Sequence, residues 1–158
     1  MTDGRVAFRL NGAPASTDGV PGEERLLDTV RWRLGLKGTK EGCRTGDCGA
    51  CTVLLDGESV LSCLTLTHEV AGREVTTIEG LERDPIGERV RAALAEEPAL
   101  QCGYCTPGFV VAIVGRLRER PLPASTAELA EDLQGNLCRC TGYASILRAL
   151  ERLPRPEG

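Results

Sequence analysis

The chain has 158 residues, a formal net charge of −4 and eight cysteines, and its aromatic content is only 3%. That length supports one or two small domains, and cores so poor in Phe and Trp are marginal on burial alone, so a metal, a disulfide or a partner is needed as a staple. Acids and bases are interspersed without a basic stripe for nucleic acid, no apolar run approaches the ~18 residues of a membrane span, and MTDGRVAFRL lacks both a secretion-like apolar stretch and a twin-arginine pair. The expected location is therefore the cytoplasm, where eight cysteines bind metal or do redox chemistry rather than form disulfides.

In chain order, Arg5 to Leu10 alternates with Val6, Phe8 and Leu10 on one face, which predicts a half-buried strand. Asn11-Gly12 predicts a hairpin turn. A second strand is expected over Ala13 to Asp18, at an edge because of Pro14. Leu26, Leu27, Val30 and Leu34 form one stripe of a helix that Gly35 ends, and Trp32, off that stripe, is expected to be partly buried at a domain or subunit contact. The glycine-rich stretch from Gly38 to Cys51 is a loop. Strands follow at Thr52 to Leu55 and Ser59 to Leu64, joined at Asp56-Gly57, and a last strand is expected over Glu74 to Ile78. His68, the only histidine, reads as a loop or strand-end residue.

The character changes near Glu79. Helices are expected over Pro85 to Ala95, from Thr106-Pro107 onward until Pro121 and Pro123 break it, from Ser125 or Thr126 to Leu133, and from Thr141 through Leu150. Glu128 offers a capping box to Ser125. Arg116 to Arg120 reads as a solvated mixed-charge face. The domain boundary is expected near residues 79–84.

Cys43, Cys48 and Cys51 have the C-x4-C-x2-C spacing of plant-type 2Fe–2S sites, and Cys63 follows after 11 residues as the fourth ligand. Gly42, Gly46 and Gly49 are expected to take positive φ and let backbone approach the sulfur. Arg44 adds positive charge there, which raises a reduction potential. The second set is Cys102-Gly-Tyr-Cys105, 32 intervening residues, then Cys138-Arg-Cys140. Both of its pairs precede helix starts, whose positive dipole ends favour thiolate. Arg139 is either a solvated charge or a tuning contact, and Tyr104 is read as bulk. A zinc-stabilised interaction module and a redox sensor are the alternatives. A Rieske centre needs two histidines and is excluded within this chain.

At KEGCRTGDCGACTV, the later Ser62-Cys63, QCGYCTPG and GNLCRCTGY, the chain resembles the small iron–sulfur subunit of the molybdenum hydroxylases, the xanthine oxidase/aldehyde oxidoreductase/carbon monoxide dehydrogenase family. The similarity covers residues 4–150. It implies an α+β chain with an N-terminal β-grasp ferredoxin-like domain over 1–80 and a C-terminal four-helix bundle over 81–158, each holding one 2Fe–2S cluster. It implies an electron-transfer subunit of a multi-subunit oxidoreductase, with no substrate chemistry of its own. Its partners would be a large subunit carrying molybdenum–pyranopterin and a medium subunit carrying FAD, assembled as a dimer of heterotrimers. Cys102, Cys105, Cys138 and Cys140 match the ligands nearer molybdenum, and Cys43, Cys48, Cys51 and Cys63 those nearer flavin. Gln101 and Cys140 match the residues that meet the pterin.

Overall fold

The computed structural model describes residues 4–119 and 125–153. Strand β1, Gly4–Leu10, and strand β2, Ala13–Val20, form an antiparallel hairpin. Its turn residues Asn11 and Gly12 have φ of 53° and 81°, the left-handed pair that a two-residue hairpin turn demands. Strand β2 runs two residues beyond the expected end. It pairs only with β1, at the sheet edge, so the missing N–H of Pro14 costs no ladder bond.

Strands β3, Thr52–Leu55, β4, Glu58–Leu61, and β5, Glu74–Thr76, complete a five-stranded sheet of order β2-β1-β5-β3-β4. The β1–β5 pairing at its centre is parallel, and the other pairings are antiparallel. Strand β4 ends three residues short of expectation. The Ser62 and Leu64 amides turn back to the carbonyls of Cys51 and Leu61, which bends the chain at Cys63. Strand β5 ends at Thr76 rather than Ile78, because the Asn11 side chain takes the Thr77 N–H at 2.9 Å and Ile78–Leu81 coils into a 3-10 turn.

One face of the sheet is covered by helix α1, Leu26–Asp28, which continues as a π-helical turn over Thr29–Arg33. The helix expected as a plain α-helix is widened here, with the Leu34 amide reaching back five residues to Thr29. Leu26 and Val30 enter the core with Val6, Phe8, Val53 and Leu55. Gly35, at φ 73°, ends the turn. Trp32 is 62% exposed, with the Lys37 ammonium 3.5 Å above its ring. His68 sits in the 3-10 turn Thr67–Val70, its ring Nε2 3.0 Å from the Val20 carbonyl.

Four helices follow: α2, Pro85–Glu96, α3, Thr106–Glu119, α4, Thr126–Asp132, and α5, Ala144–Glu151. Asp84 caps α2, and the Ser125 hydroxyl accepts the Glu128 N–H to cap α4. The expected break at Pro121 and Pro123 lies outside the described residues. Helix α5 starts three residues later than expected. The Thr141 hydroxyl accepts the Tyr143 N–H at 3.2 Å, and Tyr143 turns left-handed at φ 68° before the helix begins. Arg116 is not on a solvated face. It pairs with Asp132 at 2.8 Å, both side chains 14% exposed, and ties α3 to α4.

All four residues of β3 are buried because the sheet is covered on both sides. Val53 and Leu55 face α1, whereas Leu54 belongs to the helical core with Phe109, Ile113 and Val114 of α3. A Cβ on Gly115 would stand 2.9 Å from Leu54, so α3 lies close on the sheet. The sheet and the bundle thus meet across α3, and both cysteine sets lie at the ends of the elements that meet there. Among the described residues no helix is long and apolar enough to cross a membrane.

Candidate metal centres

The first cysteine set lies on the loop before β3 and on the bend after β4. Pairing of Thr52 with Leu61 brings Cys51 and Cys63 side by side, both buried, where they pack with Leu27. Cys43 and Cys48 are half-buried. The Thr45 and Asp47 amides donate to Cys43 Sγ at 3.4 and 3.3 Å, and the Cys43 amide donates to Cys48 Sγ at 3.3 Å. Such a ring of N–H donors is a cradle for anionic sulfur. Gly46 and Gly49 adopt positive φ, 91° and 68°, as expected. Gly42 does not. It is glycine because a Cβ there would stand 2.5 Å from Cys48 Sγ.

Hydrogen bonds from the Thr45 hydroxyl and then its amide pull the Cys43 thiol down to about 6. Burial, and then the neighbouring Cys51, push Cys63 up to about 11. An ionised sulfur at Cys63 therefore needs a cation beside it. Arg44 does not supply a free positive charge. Its guanidinium is paired with Asp28 at 2.5 Å and Glu41 at 3.0 Å, which cancels the field expected at the loop. Arg25 does what spacing alone did not suggest. One guanidinium nitrogen donates to the carbonyls of Arg44 and Cys63, at 2.7 and 2.8 Å, and straps the loop to the bend.

The second set brings together the segment entering α3 and the segment between α4 and α5. Cys102 and Cys140 are exposed, with their sulfurs 3.5 Å apart. Burial, and then Cys138, push Cys105 up to about 12. Burial also acts upward on Cys138, but the Thr141 hydroxyl, 3.1 Å from its sulfur, and the Thr141 amide hold it below the ordinary thiol value. The Cys138 amide donates to the Tyr143 hydroxyl at 3.1 Å, which donates in turn to the Asn136 carbonyl at 3.2 Å. Gln101 is exposed beside Cys102. Tyr104 is more than bulk: its hydroxyl donates to the Glu41 carbonyl at 2.5 Å, beside the first set.

All eight expected cysteines thus fall into two groups of four free thiols. A 2Fe–2S cluster takes four thiolates in two pairs, one pair on each iron. With the N–H cradle and the space left by Gly42, the residues present fit the cluster.

Comparison with known proteins agrees with this geometry. Residues 8–77 match the family described as 2Fe-2S iron-sulfur cluster binding domain, and residues 77–151 match the family described as [2Fe-2S] binding domain. The xanthine dehydrogenase iron-sulfur-binding subunit of Escherichia coli O157:H7 is 41% identical over 92% of this chain and 91% of its own length. Isoquinoline 1-oxidoreductase subunit alpha of Brevundimonas diminuta is 44% identical over 93% of this chain and 95% of its own. Quinoline 2-oxidoreductase from Pseudomonas putida 86 superposes with a TM-score of 0.89 at 38% identity, over 97% of this chain and 93% of that one. Aldehyde oxidoreductase from Desulfovibrio gigas gives 0.83 at 36% identity over 92% of this chain, which spans 16% of that longer one. The chain belongs to the iron–sulfur subunits of the molybdenum hydroxylase family, the oxidoreductases that include xanthine dehydrogenase and aldehyde oxidoreductase.

Proposed function

We propose that Cys43, Cys48, Cys51 and Cys63 hold one 2Fe–2S cluster, that Cys102, Cys105, Cys138 and Cys140 hold another, and that the chain conducts electrons between two larger partner chains. The observation that carries this reading is the division of eight free thiols into two sets of four with none left over. When bound, the clusters supply one-electron redox chemistry. The protein supplies the rest: thiolates at fixed positions, amide donors toward Cys43 and Cys48, and burial that keeps Cys51 and Cys63 from water.

In this reading the chain divides at residues 80/81 into a sheet half and a helical half, one site in each. Gln101 and Cys140, both exposed, meet the molybdenum–pyranopterin of a large subunit. The Cys43–Cys63 site faces the FAD of a medium subunit, so electrons enter at the helical half and leave at the sheet half. Exposed apolar side chains stand beside each set: Leu64 next to Cys63, Leu100 and Tyr104 around Cys102, and Leu137 next to Cys138. Apolar surface of that kind suits protein partners, in keeping with a dimer of heterotrimers in the cytoplasm.

Metal and acid-labile sulfide analysis of the chain purified with its partners tests the proposal. About four irons and four sulfides per chain are expected from two diiron clusters. Zinc without sulfide would replace this reading by that of a structural module.

A further inference from the structure

The two thiol sets are joined by a hydrogen bond between their own segments. Leu137, next to Cys138, donates its amide to the carbonyl of Cys48 at 3.0 Å. From Cys138 Sγ to Cys48 Sγ the path therefore runs along covalent bonds of three residues, interrupted once by that hydrogen bond. A second polar tie, Tyr104 to Glu41, ends two residues away from Cys43 and gives a longer route.

Asn136 holds the short route closed. It is 6% exposed, and its side-chain amide donates to the Gly49 carbonyl at 3.1 Å, the carbonyl that follows that of Cys48. Its own backbone is fixed on both sides. The amide donates to Leu133 at 2.9 Å, and the carbonyl accepts from the Tyr143 hydroxyl, which also receives the Cys138 N–H. Gly49 makes room for this contact, since a Cβ there would stand 2.5 Å from the Asn136 nitrogen. Buried away from water, such neutral amide pairs are stiff and directional.

We propose that the Leu137 amide and the Cys48 carbonyl form the through-bond link for electron exchange between the two sites, and that Asn136 is the positioning residue that keeps it closed. The proposal rests on the reading that both thiol sets hold clusters. One site loses one electron and the other gains it, with no proton moved and no covalent bond made or broken. Coupling decays slowly along bonds and steeply across a gap, so an opened contact slows exchange without altering either site.

The test is Asn136→Ala in the complete complex, partly reduced by dithionite or a pulse of solvated electrons. Readouts are the rate of electron equilibration between clusters and the magnetic interaction between them in electron paramagnetic resonance. The rate is expected to fall as a bonded contact becomes a gap, with iron content, g-values and both potentials kept. An unchanged rate in the iron-loaded variant overturns the link. Should the variant lose its clusters, the Leu137 amide of the oxidised wild type decides. Slow hydrogen exchange supports the link, and exchange at the pace of a free loop amide overturns it. Wild-type protein without iron would sink the functional reading itself, an outcome distinct from an unchanged rate.

Discussion

Gly108, in the first turn of α3, lies directly against the carbonyl oxygen of Gly49 in the loop of the first cysteine set. The contact is backbone to backbone, and the Cα of Ala50 would stand 3.1 Å from any Cβ added there. It brings the start of the helix that follows Cys105 against the loop that carries Cys48 and Cys51.

Gly108→Ala therefore runs against helix propensity. In an exposed helix interior the change stabilises by about 1 kcal/mol. Here the new methyl meets backbone that cannot rotate away, and a loss of about 1–3 kcal/mol is expected, as for other overpacked sites. Chemical denaturation of the cluster-loaded protein measures it. A variant as stable as the wild type would show that the helix and the loop are free to part.

Asp84 gives a pH prediction. Its carboxylate accepts the Ile86 and Gly87 amides at 3.0 and 2.8 Å and pairs with Arg118 of α3 at 2.5 Å. Burial acts upward on its pKa, but the Gly87 amide and the Arg118 guanidinium outweigh it and hold the group below the usual 3.8. A carboxyl depressed in the folded state adds stability that is present above its unfolded value and lost as pH falls through the folded one. Asp84→Ala should cost about 1 kcal/mol near neutrality through the lost cap. The gap between variant and wild type should shrink under acid conditions below the unfolded value. Urea titrations at neutral pH and in acid compare the two, and a gap that stays constant refutes the assignment.

Much of this was legible in residue order. The hairpin turn at Asn11-Gly12, the strand at Thr52–Leu55 and both cysteine sets rest on local chemistry that spacing and turn residues express directly. What was not legible depends on long-range contact. The pairing of Arg44 with Asp28 cancels a charge that looks free in sequence. Arg25 and Asn136 act through backbone carbonyls 38 and 87 residues away, and nothing in their own neighbourhoods marks them. The late start of α5 comes from a single hydroxyl, Thr141, that bonds to an amide two residues on. The role of Gly42 is the space it leaves for Cys48, a contact that spacing within the loop does not express.

Replacing a thiol tests the assignment of the second set. Cys140 is exposed and 3.5 Å from Cys102, so serine fits there without disturbing a core. Cys140→Ser is expected to abolish or shift one cluster signal in electron paramagnetic resonance and to abolish turnover of the complex. The signal from the Cys43–Cys63 site should persist, because none of its thiols is touched. An unchanged spectrum with unchanged turnover would remove Cys140 from the ligand set.

Trp32 offers a probe of assembly that needs no iron. It is the only tryptophan, and it stands on the π-helical turn away from the core that Leu26 and Val30 fill. Its ring is covered on one side by Lys37 at 3.5 Å, with the Arg31 guanidinium carbon at 5.2 Å, and is otherwise open. Nothing in the packing of the isolated chain needs an indole at this place. Trp32→Ala should therefore change stability by no more than about 0.5 kcal/mol, as expected for a surface site. A large amphipathic ring left exposed beside two cations has the composition of an interface anchor. Its emission should lie at long wavelength in the isolated chain and move to shorter wavelength when the larger partners bind. Emission that stays put on assembly, with the partners shown to be bound, would place Trp32 outside the interface.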